Sequence, residues 1–358
     1  MLKYEPIIKL ANMLNYTAFV LGNHDFDDGT EGLQPFLDRV NFPVLAANVN
    51  ASKIPDFQAK IIPSYTIDMN GTKIGIIGYI TPKTAKISSK PVPKVEFLDE
   101  IYSVKSECAK LKRQGVEILI GLGHSGYKFD QVLAKEVDDI DVVVGGHSHS
   151  YLYTGDNPTD HPEGNYPTYV RQRSGKVVPV VQAGSYSKYV GFMKLNFDKH
   201  GNLNEPVNGQ GVEFAQPYLL DEKVPKDQET LEAMAPFEKQ LAKYKEVIGY
   251  SEVFLDRNGK EECLVGDFVA NAFKEFGWQN IDISFVNTGG LRNQLSIGNI
   301  TLEDMYQILP FNNTLDKITI KGKDIKKVLQ SKLKAGKSLL QISGGQTGKF
   351  ELLQNKFA

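Results

Sequence analysis

The stretch TAFVLGNHDFDDG, residues 17–29, places an apolar run directly before a polar turn that is framed by glycines. Asn, Asp and Gly dominate turns for conformational reasons, so an ordinary β-turn accounts for Asp28 and Gly29. It does not account for His24 beside Asn23, because imidazoles and oxygen-bearing side chains are typical metal ligands. The stretch predicts a short buried strand followed by a turn, and the rest of the chain decides whether that turn is functional.

Similar apolar runs recur along the first 150 residues and alternate with amphipathic helical segments. The strand-like runs are FPVLAANV (42–49), KIGIIGYI (73–80), VEILIGLG (116–123) and IDVVVGG (140–146), and helices are predicted over 95–115 and near 128–137. Continuous hydrophobic strands between helices are typical of buried α/β sheets. The first domain is therefore predicted to be α/β, with the loops after its strands open to chemistry.

The length of 358 residues favours two domains. We predict a first domain over 1–220, a charged linker helix over 221–249 that is interrupted near Pro236, and a second domain over 250–358. The second domain is also predicted to be α/β. Its predicted elements are a helix over CLVGDFVANAFKEFG (263–277), a strand at IDISFVN (281–287) and the loop TGGLRNQ (288–294).

Composition narrows the class of protein. The formal net charge of −2 gives no reason to expect a nucleic-acid partner or a charged membrane surface. No apolar run reaches the roughly 20 residues of a membrane helix, and the first 16 residues are too polar for a signal peptide. Cys108 and Cys263 have no metal-type spacing, so we expect buried free thiols.

Four of the six histidines follow apolar strand-like runs. His24 follows residues 17–22, His124 follows 116–123, and His147 and His149 follow 140–146. If these strands are neighbours in one sheet, their loops converge at its carboxyl edge, where α/β folds place their sites. Neutral imidazoles with an amide or carboxylate oxygen suit zinc, manganese or iron, whereas calcium and magnesium sites use mainly oxygen ligands.

The ordered set of motifs resembles the 5'-nucleotidase family, the two-domain calcineurin-like metallophosphoesterases that include ecto-5'-nucleotidase and salivary apyrases. The matching segments span about residues 5–345: GNHDFDDGTEGL, GLGHSGY, VVVGGHSHSYLYTG, VPVVQAGSYSKYVGFMKLNFD, VNTGGLRNQL and ILPFNNTLD. The resemblance implies an N-terminal metallophosphoesterase sandwich and a C-terminal α/β substrate-binding domain. It also implies a cofactor of two divalent metal ions, with zinc or manganese expected.

The resemblance assigns roles to residues of the first domain. It implies that Asn23, His124 and His147 ligate one metal, and that His149 stands where relatives carry Gln or Asn as a ligand of the other. His24 and Asp27 match the catalytic dyad, in which the imidazolium stabilises charge on the transferred phosphoryl group and the carboxylate holds the ring.

In the second domain the resemblance implies a substrate site. Asn287 and Arg292 match substrate-contacting residues, and an arginine suits phosphate because its planar fork donates two parallel hydrogen bonds. Phe311 matches an aromatic residue that stacks on the nucleobase. Arg257 is a further candidate for an arginine that relatives place before a similar stretch.

Two parts of the family pattern are absent from this sequence. An Asp-x-His strand and a Gly-Asp motif, whose aspartate bridges the two metals, precede the GNHD turn in relatives, and neither occurs before residue 21. A later segment with a second base-stacking aromatic is also absent. We therefore expect a fragment truncated at both ends, whose second metal site is incomplete.

These observations support three hypotheses about function. The first is metal-dependent hydrolysis of nucleoside 5'-phosphates such as AMP, and the second is an apyrase that cleaves ATP and ADP. The third is a nucleotide-binding remnant without catalysis, favoured by the absent bridging aspartate. The resemblance, with five Asn-x-Ser/Thr sequons at Asn15, Asn50, Asn70, Asn299 and Asn312, favours an extracellular or cell-surface protein.

Overall fold

The structure, a computed structural model, describes residues 4–90, 92–204, 211–257, 262–276, 280–311, 313–334 and 340–344. The chain divides into two compact units, residues 1–235 and 236–358. The closing segment QTGKFELLQNKFA and the sequon residue Asn312 lie outside the described residues. No helix of the described chain combines the length and the apolar character needed to span a bilayer.

The first unit alternates helices and strands, as its sequence predicts. Its helices are α1 (Glu5–Met13), α2 (Gly29–Leu37), α3 (Pro55–Gln58), α4 (Thr84–Ile87), α5 (Glu100–Arg113) and α6 (Tyr127–Glu136), and α7 (Gln228–Leu241) crosses into the second unit. Its strands are β1 (Phe19–Val20), β2 (Val44–Leu45), β3 (Val49–Asn50), β4 (Ile61–Ile62), β5 (Ser64–Met69), β6 (Thr72–Ile80), β7 (Glu96–Phe97), β8 (Ile118–His124), β9 (Val142–Val144), β10 (Thr168–Arg171), β11 (Val177–Val181), β12 (Tyr189–Leu195) and β13 (Val212–Leu219).

The main sheet of the first unit has six strands in the order β10-β11-β9-β8-β6-β5. The four inner strands β11, β9, β8 and β6 run parallel, and an antiparallel strand closes each edge. The strands that end at His124 and just before His147 are therefore neighbours, as the predicted convergence requires.

The strand before His24 does not belong to this sheet. β1 lies in a separate three-stranded parallel sheet of order β1-β2-β4, so the condition that all three strands before the histidines share one sheet is not met. The small sheet packs against the large one at β6, where the Gly78 carbonyl accepts a hydrogen bond from Ala47 N at 2.7 Å. A side chain at Gly78 would place its Cβ 2.4 Å from Leu45 Cβ, so glycine permits this close approach.

Two apolar clusters fix this arrangement. One fills the space between the large sheet and α5 and α6, with Leu119, Leu133 and Val143 fully buried. The other packs the small sheet against α1 and α2, with Leu21 and Phe26 fully buried on either side of the Asn23 turn. The turn that carries Asn23 and His24 is therefore anchored in the core at both ends.

Two predicted helices differ from the observed ones. The helix predicted over 95–115 begins only at Glu100, because Glu96–Phe97 pairs with β3 and the Asp99 carboxylate caps the helix by accepting from Tyr102 N at 2.7 Å. The helix α7 continues through Pro236 instead of breaking there, so the predicted interruption was wrong. Inside a helix a proline removes one N–H hydrogen bond and its ring crowds the carbonyl four residues earlier, and α7 continues in spite of both.

The second unit is α/β as well. It contains β14 (Val247–Ser251), α8 (Leu264–Glu275), β15 (Ile283–Asn287), β16 (Gly298–Thr301), α9 (Leu302–Ile308), α10 (Gly322–Lys334) and β17 (Leu340–Gly344). β14 pairs with β16 and β15 with β17, both antiparallel. A cluster that includes Val265, Val269 and Leu291 forms its core, and the predicted free thiols Cys108 and Cys263 are both buried.

Candidate active site

The turn after β1 directs its polar side chains in opposite directions. Asn23–Phe26 forms a single turn of 3-10 helix, and the Asp25 carboxylate accepts a hydrogen bond from Gly22 N at 2.7 Å. Because Phe26 is fully buried, the turn is held against the core. Asn23 is buried as a result, whereas His24 is exposed.

Asn23 is the centre of a convergent group of three side chains. Its Oδ1 lies 3.1 Å from His124 Nε2 and 2.9 Å from His147 Nδ1. The two imidazole rings meet edge to face with their centroids 5.1 Å apart. The structure thus brings together, from three separate segments of the chain, the three residues that the resemblance assigns to one metal.

Glycines and strained backbone make this approach possible. A Cβ on Gly22 would lie 2.8 Å from the His124 ring, so no larger residue fits there without moving the imidazole. His147 has a φ of 76° and His149 a φ of 59°, a left-handed conformation that few non-glycine residues adopt. Such strain persists where the surroundings hold it in place, and it is concentrated at functional sites.

The electrostatics of His124 suit a metal ligand. Burial, together with the nearby His147, His24 and His149, lowers the pKa of His124 to about 3. The ring is therefore neutral at neutral pH, which is the form that coordinates metals. Two imidazole nitrogens and one amide oxygen fit a zinc or manganese ion in their donor chemistry.

The donor set fits one metal, and a second site is not assembled among the described residues. His149 is exposed, and its ring packs edge to face against Tyr186 with centroids 5.6 Å apart. Within the described ranges no three His, Cys, Asp or Glu side chains group closely enough to hold an ion. The resemblance assigned His149 to a second metal, and among the described residues no group of three such side chains forms around it.

His24 and Asp27 form the hydrogen-bonded pair that the resemblance implies. Nδ1 of His24 lies 2.7 Å from Oδ2 of Asp27, and the other carboxylate oxygen accepts from Ser89 N at 2.7 Å. Burial raises the pKa of Asp27, but the hydrogen bonds from His24 and Ser89 outweigh it and leave the pKa below its ordinary value. Asp27 is therefore ionised at neutral pH and fixes the orientation of the imidazole.

The candidate substrate residues of the second unit lie at the end of β15 and in the two loops that follow. Asn287 is exposed at the last position of β15, directly before the 288–290 turn. The Arg292 guanidinium lies 4.9 Å from the centroid of the Phe311 ring, a cation–π contact that brings these two residues together. Arg257 is close by in the same unit, since its Nε donates to the Leu291 carbonyl at 2.7 Å.

Several supporting residues were not singled out from the sequence. Gln182, just after β11, accepts from Ser150 N at 2.6 Å and donates to the Gly146 carbonyl at 3.1 Å, so it holds the segment that carries His147 and His149. Ser88 Oγ donates to the Asn23 carbonyl at 2.8 Å. Gln182 lies in the quoted motif VPVVQAG, which was its only signal, and Ser88 had none.

Comparisons with known proteins agree with this architecture. The Calcineurin-like phosphoesterase family matches residues 2–151, and the family described as 5'-nucleotidase, C-terminal domain, matches residues 247–353. The crystal structure of a 5'-nucleotidase precursor from Thermus thermophilus superposes with a TM-score of 0.86 at 32% identity. That match covers 95% of this chain and 68% of the other.

Curated sequences give the same result. A snake venom 5'-nucleotidase of Crotalus adamanteus is 36% identical over 96% of this chain and 61% of its own length. An apyrase of Tabanus yao is 36% identical over 96% of this chain and 64% of its own length. The chain thus spans less than two thirds of the length of these relatives. On the matched domains and the superposed structure, the chain belongs to the 5'-nucleotidase family.

Proposed function

We propose that this chain carries out metal-dependent hydrolysis of nucleoside 5'-phosphates, with AMP converted to adenosine and phosphate. One observation carries the proposal: His124 Nε2 and His147 Nδ1 both lie within hydrogen-bond distance of Asn23 Oδ1, in the loop region that also holds the His24–Asp27 pair. Family membership supports the choice of a phosphate ester as the substrate.

The three convergent side chains are the proposed metal ligands. A zinc or manganese ion held by Asn23, His124 and His147 would polarise a phosphoryl oxygen and activate a water molecule. The protein contributes a preformed donor set, because Asn23 is buried and His124 is neutral before any ion arrives. Gln182 keeps the His147 segment in place through its two hydrogen bonds.

His24 is the proposed stabiliser of charge on the phosphoryl group. Asp27 accepts the hydrogen bond from Nδ1 and so fixes the orientation of the ring. The protonated ring then donates from Nε2 to an oxygen of the transferred phosphoryl group as charge develops there. His24 is exposed, so a substrate can reach it from solvent.

The second unit supplies the proposed substrate-recognition residues. Arg292 is assigned to the phosphate of the nucleotide and Phe311 to the base, and Asn287 is assigned as a further substrate contact. The cation–π contact between Arg292 and Phe311 supports this pairing, because it fixes an aromatic face beside a phosphate-binding cation.

The test is phosphate release by the purified 358-residue chain with added Mn²⁺ or Zn²⁺. We expect release from AMP, and loss of that release in His147→Ala but not in His200→Ala, which changes an exposed histidine away from these loops. Release that survives His147→Ala would trace the activity to a contaminating phosphatase. A folded chain that binds AMP in calorimetry but releases no phosphate would instead support the binding remnant.

An apyrase activity is the second candidate, because the Tabanus yao apyrase matches as well as the nucleotidases do. The same assay with ADP and ATP separates the two functions. Preferential release from AMP supports the nucleotidase. Release from ATP and ADP that exceeds release from AMP supports the apyrase.

The location and domain limits are also proposed here. A venom protein among the relatives, together with sequons at the exposed Asn15, Asn70 and Asn299, supports an extracellular or cell-surface protein.

The proposed domain limits are 1–220 and 250–358, with a linker over 221–249. The strand β14 begins inside that linker and pairs with β16 of the second unit.

A further inference from the structure

A tyrosine and an aspartate that the proposed reaction does not use lie beneath the histidine loops. Tyr79, on β6, and Asp130, on α6, are both fully buried, and the Tyr79 hydroxyl donates to Asp130 Oδ1 at 2.8 Å. The second carboxylate oxygen, Oδ2, has no hydrogen-bond partner among the described residues. A buried carboxylate with an unpaired oxygen is costly, so its retention calls for an explanation.

The position of each residue suggests that explanation. Tyr79 on β6 pairs with Gly123 on β8, and Gly123 is the residue directly before His124. A Cβ on Gly123 would lie 2.1 Å from the Tyr79 ring, so the ring occupies the space that a side chain would need. An aromatic side chain that covers a cross-strand glycine fixes the register and the path of that strand.

Asp130 likewise occupies the space beside a glycine, in this case a glycine of the loop that carries His147. A Cβ on Gly145 would lie 2.0 Å from Asp130 Oδ2, the unpaired oxygen. Gly145 follows β9 and stands two residues before His147, whose backbone is in the left-handed conformation. The carboxylate therefore lies where it limits the path that the 145–147 segment can take.

We propose that Tyr79 and Asp130 act as one buried positioning pair, which sets the His124 and His147 loops at the spacing that the metal site requires. Tyr79 packs over Gly123 of β8, and Asp130 packs over Gly145 after β9. The hydrogen bond between the two side chains links these two contacts. The pair acts through volume and through this one bond, and it touches neither metal nor substrate. The inference rests on the proposed function for its metal ion. The part that concerns geometry, the positions of the His124 and His147 loops, does not depend on that ion.

The test compares two buried aspartates, Asp130 on α6 and Asp141 beside β9. Asp141 lies at the amino end of β9, pairs with Lys176 at 2.6 Å and accepts from Leu119 N at 2.7 Å. Asp130→Ala and Asp141→Ala both remove a buried carboxylate, so both are expected to lower the melting temperature. Only Asp130→Ala is expected to weaken Mn²⁺ binding in calorimetry, by about tenfold, the lower end for residues that support metal ligands.

Two conservative variants sharpen the comparison. Asp130→Asn keeps the volume and can still accept from Tyr79, so its Mn²⁺ affinity is expected to stay within about twofold of the original. Tyr79→Phe keeps the ring but removes the bond, and a loss of about fivefold is expected. Tyr79→Phe also serves if Asp130→Ala fails to fold, because it deletes a single oxygen.

A metal-free readout separates this inference from the proposed function. The imidazole proton shifts of His124 and His147, observed by NMR with histidine labelling, should move in Asp130→Ala and stay in place in Asp141→Ala. Equal effects of the two variants on these shifts and on Mn²⁺ affinity, or no effect of either, would overturn the positioning role. Absence of AMP hydrolysis in a chain that shows the expected pattern would overturn the function and leave the pair intact.

Discussion

At the scale of single residues, formation of the candidate site depends on a few polar side chains and on one glycine that has no side chain. Asn23 gathers two imidazoles around one oxygen, Asp27 orients His24, and Gly22 leaves room for the His124 ring. Each of these residues acts through one atom or through the absence of one. Single substitutions should therefore separate their contributions.

The first residue-scale prediction concerns Asp27. Asp27→Asn removes the carboxylate that orients His24 toward the transferred phosphoryl group, so kcat for AMP should fall about a hundredfold or more. Steady-state phosphate release measures the change. Asp28→Asn is the matched control, because Asp28 is an adjacent carboxylate whose side chain accepts from Lys90 at the surface. Similar losses in the two variants would remove Asp27 from the proposed catalytic pair.

The second concerns Gly22. Gly22→Ala puts a methyl group 2.8 Å from the His124 ring, which must move away from Asn23 to accommodate it. Mn²⁺ affinity should fall about tenfold, and calorimetry measures it. In the control Gly322→Ala, the added methyl meets no atom within 4 Å. Unchanged affinity in Gly22→Ala would show that the loop relaxes without cost to the site.

At the scale of secondary structure, the packing of α6 on the large sheet carries a pH dependence. Burial raises the pKa of Asp130, on α6, to about 7, from an ordinary value of 3.8, and the hydrogen bond from Tyr79 offsets this only in part. The folded state therefore holds the proton more tightly than the unfolded chain does. Stability contributed by the protonated carboxyl is complete below about pH 4 and is lost as the pH rises to about 7.

The resulting prediction compares Asp130→Asn with the unchanged chain. The variant carries no ionisable group, so it should gain relative stability as the pH rises, by up to about 4 kcal/mol at pH 8. Urea unfolding at pH 4 and pH 8 measures the difference, in which other titrating groups cancel. A difference that is the same at both pH values would show that Asp130 does not titrate in this range.

At the scale of the whole molecule, the site joins parts of the chain that are far apart in sequence. Asn23 lies 101 residues before His124 and 124 before His147, and the two sheets must pack together before the three side chains meet. An ion bound by all three ligands binds only the folded first unit. Metal binding should therefore stabilise that unit.

This gives a prediction for thermal unfolding. With Mn²⁺ at a hundred times its Kd, the free energy of unfolding should rise by about 2.7 kcal/mol, and Tm by about 5–10 °C. Differential scanning calorimetry with and without EDTA records the shift. His147→Ala should abolish it and His200→Ala should retain it. A shift that persists in His147→Ala would place the ion elsewhere.

The sequence by itself determined the fold class and the alternation of buried strands with helices, and it named the candidate residues of the site. Hydrophobic periodicity is a local property, and the motifs GNHDFD and VVVGGHSHS can each be recognised from a few consecutive residues. It also predicted that the loops that carry the histidines converge if their strands are neighbours, and the strands before His124 and His147 are parallel neighbours.

Only the tertiary structure decided the rest. β1 lies in a second sheet, α7 runs through Pro236, and Tyr79 and Asp130 fill the space left by two glycines. The sheet membership of β1 and the packing of Tyr79 and Asp130 depend on contacts between segments far apart in the chain, which no local pattern encodes. The sheet to which a strand belongs follows from how two apolar faces pack. The residue types of the candidate site are therefore visible in short motifs, whereas their positions depend on the packing of the core.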